Sequence, residues 1–162
     1  MEMNLSTILT TTSSVEASEG ALSLYKYLIV VTAGWVVAQS IKCLLRVISS
    51  RKVDCFAIFF TSGGMPSSHT AVIVSVTTLI GLVEGVSTAI FGLAVAIALI
   101  VVYDAVKSRK SVGDQAELIN KLLKEQGSKI KPPKIVRGHT IPEVIVGGLL
   151  GVAIGFAGFL LF

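Results

Sequence analysis

Four apolar segments, separated by short polar connections, constrain this chain more than any other feature. They run from about 22 to 48, 67 to 83, 87 to 103 and 141 to 162. About 20 apolar residues in a helix cross the hydrocarbon of a bilayer, and only a helix or a closed barrel satisfies its backbone hydrogen bonds there without water. The expectation is an all-α, polytopic membrane bundle of about four transmembrane helices. Composition agrees: 52% of the residues are hydrophobic, 15% are charged and the mean hydropathy is +0.81, too apolar for an ordinary soluble domain. Two cysteines make no disulfide scaffold.

The remaining segments take their meaning from this frame. Residues 1–21 are Ser/Thr-rich, hold Glu2, Glu16 and Glu19 and lack Lys and Arg, unlike a signal or transit peptide. They read as a mobile extension ahead of one membrane-embedded domain, 22–162. The apolar patch Cys55 to Phe60 is too short to cross a bilayer, so 49–66 is expected to hold a re-entrant or short buried segment. Between Lys107 and Gly138 lie nine Lys or Arg and three acids. There Val112, Ala116, Ile119 and Leu123 recur near helical spacing, which predicts an interfacial amphipathic helix over 111–126.

Four spans put both basic connections, 49–66 and 107–138, on one side with 13 of the 14 basic residues. The positive-inside rule makes that side cytoplasmic. No basic face interleaved with aromatics points to nucleic acid; the expected partners are the bilayer and an anionic lipid headgroup. The last span carries Gly147, Gly151 and Gly155 at fourfold spacing, a stripe that admits close helix approach. Packing inside the chain is the preferred reading of it, and a homo-oligomer seam the other.

Both histidines fall at helix beginnings on the basic side. His69 follows Gly63-Gly64-Met65-Pro66-Ser67-Ser68, where backbone N–H groups at a helix N-terminus favour an anion. Ser67 or Ser68 acting only as a helix cap is the competing explanation. His139 lies in Arg137-Gly138-His139-Thr140-Ile141-Pro142-Glu143. Glu143 can fix the tautomer of its imidazole, or only close a capping box with Thr140. Two histidines and one carboxylate, with no acid-rich cluster, suit phosphoryl transfer through a phosphohistidine better than metal-assisted hydrolysis, so no cofactor is expected. Lys42, Arg109 and Arg137 are the candidate cations for the phosphate. Asp104 ends a span against the helix dipole and needs a partner, Lys107 or Arg109. Tyr103-Asp104 is read as orienting Arg109, with metal ligation the weaker option.

The ordered set Gly63 to Ala71, then Tyr103-Asp104-Ala105 with Arg109, Gly113, Gln115-Ala116 and Asn120, then Gly138 to Val144 resembles the divergent branch of the phosphatidic acid phosphatase type-two superfamily. That superfamily is related to acid phosphatases and vanadium haloperoxidases. The resemblance implies a helical, metal-independent phosphatase in which His139 is the nucleophile, His69 the general acid and Glu143 the orienting carboxylate. The Lys-x6-Arg-Pro and Ser-Arg motifs of the main superfamily are absent here. The expected activity is removal of phosphate from a lipid phosphomonoester or diphosphate, with Lys42, Arg109, Arg137 and the Gly64, Ser67 and Ser68 backbone holding the oxyanion. The alternative is a non-catalytic membrane protein that binds anionic lipid or a partner through the same pocket.

Overall fold

The computed structural model describes residues 5–49, 63–133, 135 and 138–162. Among them the chain is all helix and loop: α1 (Leu5–Ser49), α2 (Ser68–Val83), α3 (Ala89–Tyr103), a π turn (Asp104–Ser108), α4 (Arg109–Glu125) and α5 (Ile141–Leu161). The helix of α1 begins at Leu5, inside the segment read as an extension, and its Leu24–Ser49 part is long and apolar enough to span. The expected re-entrant segment falls mostly at 50–62, outside the described residues.

The helical-bundle expectation holds, with a different division of lengths. Three helices are long and apolar enough to cross a membrane, Leu24–Ser49, Ala89–Glu125 and Ile141–Leu161. The fourth apolar helix, α2, has 16 residues, about 24 Å at 1.5 Å per residue. It packs against α5, α1 and α3, so its shortness is covered by protein. It still runs between the two ends of the bundle. At one end Tyr27 donates a hydrogen bond to the Glu84 carboxylate just beyond α2; at the other, Ser67 N–H donates to the Glu143 carbonyl at 3.0 Å.

Small residues let α2 sit so deep. A Cβ on Gly147, Gly151 or Gly155 would stand 2.5, 2.7 or 2.5 Å from the carbonyl oxygens of Ser67, Ala71 and Ser75 respectively. Two rows of fourfold spacing therefore mesh backbone against backbone, and the glycine stripe is in use inside the chain. Thr77 and Thr78 donate their hydroxyls to the carbonyls of Ile73 and Val74 at 2.7 and 2.8 Å, which removes their polar cost in an apolar setting. The outer faces of α3 and α5 stay apolar and exposed, as at Ile100 (68%) and Leu149 (67%).

The amphipathic helix expected at 111–126 is α4, Arg109–Glu125, joined to α3 through the π turn. Residues 104–112 contain neither Gly nor Pro, and the helix runs unbroken from Ala89 to Glu125, absorbing the change of environment in the π turn. Of its expected apolar face only Ala116 is buried, while Val112 and Ile119 are exposed. Past Gly127 the chain leaves the helix, Lys131 to Pro133 belong to no regular element, and Asn120 Nδ2 donates to the Pro133 carbonyl at 3.2 Å. Cys43, given no role from sequence, is disulfide-bonded.

Candidate active site

The site forms where α1 ends, α2 and α5 begin, and α3 widens into the π turn. In an α-helix residues five apart point about 140° away from each other. Here Arg109 N–H bonds the Asp104 carbonyl, an i→i+5 bond that makes the two residues neighbours across the wide turn. Their side chains pair, Arg109 Nε to Asp104 Oδ2 at 2.8 Å. The partner Asp104 needs is thus Arg109. Tyr103, expected to help orient that arginine, is 65% exposed; it precedes the π turn and lies on the outer face of α3, away from the ion pair.

The same turn anchors the second histidine. His139 N–H donates to the Ala105 carbonyl at 2.9 Å. This close approach explains Gly138: a Cβ there would lie 2.6 Å from Lys110 N and 3.1 Å from the Ala105 oxygen. His139 Nδ1 is 3.0 Å from Glu143 Oε2, and that oxygen also accepts Thr140 N–H at 3.0 Å. Glu143 therefore caps α5 and orients the imidazole at once, so the two readings from sequence are both realised. The carboxylate places the proton on Nδ1. Nε2 is then a lone pair, buried and without a hydrogen-bond partner among the described residues.

Three cationic or titratable groups face it. The His69 ring centre is 6.5 Å from that of His139, edge to face; His69 is exposed and His139 buried, so His69 stands at the mouth. Lys42 is 1% exposed and its Nζ has no hydrogen-bond partner among the described residues, within electrostatic reach of both histidines and of Glu143. Arg109 acts on both histidines as well. Burial holds the His139 imidazole below its ordinary value of 6.5, outweighing the hydrogen bond and charge of Glu143 that raise it. Nε2 thus stays unprotonated at neutral pH.

The remaining expected residues divide. Ser67 is fully buried, its Oγ accepts Thr70 N–H at 3.4 Å, and its own N–H is taken by Glu143. It is the cap of α2, and its backbone donor is already spent between helices, which removes it from the phosphate set. Ser68 is buried in the first turn. Gly64 adopts φ +87°, open to glycine, beside the Lys42 stem. Arg137 lies outside the described residues. Arg46 was missed: its Nη2 lies 3.5 Å from where a Gly64 Cβ would stand. The available signal was its i+4 spacing from Lys42, which sets both cations on one helix face.

A membrane-embedded helical bundle with two facing histidines, one held by a carboxylate, defines a protein of the phosphatidic acid phosphatase kind in architecture. A family model described as the divergent PAP2 family matches residues 24–154, and the chain belongs to that family. An uncharacterized membrane protein of Bacillus subtilis (strain 168), YuiD, is 33% identical over 135 residues, covering 74% of this chain and 85% of the relative. No solved structure matches the chain.

Proposed function

We propose that this chain is an integral membrane phosphatase acting on a lipid phosphomonoester or diphosphate through a phosphohistidine, without a metal. The observation that carries the reading is the state of His139: Nδ1 tied to Glu143, Nε2 buried and, among the described residues, without a hydrogen-bond partner. Burying such a nitrogen without a partner costs free energy unless it has a task, and the buried Lys42 ammonium beside it, likewise without a partner among the described residues, calls for an anion. In this mechanism Nε2 attacks phosphorus, the bond from phosphorus to the leaving oxygen breaks, and His69 donates its proton to that oxygen. Water then gives its proton to His69 and attacks phosphorus, and the N–P bond breaks to restore His139. Lys42, Arg109 and Arg46 stabilise the oxyanion, with the 49–66 and 107–138 connections in the cytoplasm.

The test is phosphate release by the purified full-length protein from a panel of lipid phosphates, with and without EDTA, alongside His69→Ala and His139→Ala. Turnover that survives EDTA and is lost in both variants supports the mechanism, whereas full activity in His139→Ala ends it. A second reading, binding without catalysis, draws on the Asp104 carboxylate that already holds Arg109. It expects lipid phosphate binding that survives His139→Ala, weakens in Arg109→Ala and is never accompanied by phosphate release.

A further inference from the structure

Two hollows meet at Lys107. One, of about 610 Å³, lies between α4 and the segment leading into α5; its wall includes Lys107, Lys110, Asp114, Ile135 and His139, and its size is that of a ligand-binding cleft. The other, of about 590 Å³, is an open trough on the outer face of α3, lined by Leu99, Ile100, Tyr103 and Val106 and closed by Lys107. Val106 and Lys107 border both. A comparable trough on α1, of about 520 Å³ around Leu28 and Val36, leads to no charged residue.

Charge distinguishes the junction. Asp104 is engaged by Arg109, and Glu117 pairs with Lys121 at 3.3 Å. Lys107 and Lys110 are exposed and form no ion pair among the described residues. Two ammonium groups without an ion pair among the described residues, with the Asp114 carboxylate in the same wall, therefore stand where the trough opens into a pocket that reaches His139. An amphiphile with an anionic head fits such a track, and a free phosphate ion would leave the trough unused.

We infer that a lipid phosphate docks from the α3 side, its hydrocarbon chain in the Leu99 to Val106 trough and its anionic head met first by Lys107 and Lys110, at the entrance that leads to His139 and the cations around it. The inference deepens the lipid-phosphatase reading by naming the entry face and the residues that recognise the headgroup, and its test needs no turnover. The full-length protein carries a photo-crosslinking amino acid at Val106 or, as control, at Leu28. It is reconstituted in phosphatidylcholine nanodiscs doped with a non-hydrolysable phosphonate analogue of phosphatidate, and captured lipids are weighed by mass spectrometry.

The phosphonolipid should be captured at Val106 several-fold above its share of the bilayer, and at Leu28 only in proportion to that share. Lys107→Gln and Lys110→Gln should each reduce the enrichment about five-fold, while Lys107→Arg keeps it. A water-soluble short-chain phosphonate should compete poorly. Equal capture at Val106 and Leu28, enrichment indifferent to both lysines, or full displacement by the soluble phosphonate would each overturn the inference. Enrichment without phosphate release in the panel assay would end the enzymatic reading and leave this one standing.

Discussion

The two ring nitrogens of His139 have opposite surroundings, and the reactivity proposed for the protein lies in that contrast. Replacing Glu143 by Gln keeps a hydrogen bond while losing the charge that stabilises the imidazolium and sets the tautomer. The expected result is a fall of about 10²- to 10⁴-fold in kcat with little change in KM. His69→Ala should cost about 10²- to 10⁴-fold, the usual contribution of a proton donor, and less with substrates whose leaving group needs no proton. The pH dependence follows from the lowered pKa of His139. The neutral imidazole of His139 is the nucleophile, so the acid limb of kcat/KM should lie below 6.5; His69, also held below 6.5 by burial and by the charge of Arg109, must carry the proton it donates, so the basic limb should lie below 6.5 as well. For stability the sign runs the other way: the unfolded chain takes up the proton first as pH falls through 6.5. The folded state therefore loses stability between 6.5 and the lowered value, and His139→Gln should flatten this part of a thermal-unfolding profile against pH.

At the scale of elements, the π turn and the glycine stripe do the positioning. Gly138→Ala would place a methyl 2.6 Å from Lys110 N and push His139 off the Ala105 carbonyl. A displacement of about 1 Å at a reacting group costs on the order of 10²-fold, so kcat should fall by that order while the fold survives, as circular dichroism of the detergent-solubilised protein would report. Gly151→Val drives a branched side chain into the Ala71 carbonyl and the Val74 side chain. Overpacking of this kind costs about 1–3 kcal/mol, and a lowered Tm of the solubilised protein measures it. These features were partly visible beforehand. Fourfold glycine spacing announces close approach, but nothing in it says that α2 is the partner. The amphipathic helix expected at 111–126 is present as α4, but the π turn that joins it to α3 has the same composition as an α-helix and leaves no signal.

For the whole molecule, the described residues place Lys42, Arg109 and both histidines at one end and Glu84, Tyr27 and Lys26 at the other. Sidedness is tested by cysteines placed at the two ends. In intact cells Ser87→Cys should react with a membrane-impermeant maleimide and Ser128→Cys should not, and the opposite pattern would invert the orientation. Sequence by itself determined the helical membrane class, the apolar segments, the two histidines and the pairing of His139 with Glu143, because periodicity, capping and i,i+4 contact act over one or two turns. Only the tertiary structure decided that Ser67 is spent as a cap and an inter-helix donor, that Arg46 reaches Gly64, that Arg109 rather than Lys107 meets Asp104, and that the trough and the pocket join at Lys107. The contacts of Ser67 and Arg46 depend on how closely segments distant in the chain approach, which is set by the packing of whole helix faces, and the Asp104–Arg109 pair and the junction at Lys107 depend on one widened turn; neither leaves a mark in the order of residues.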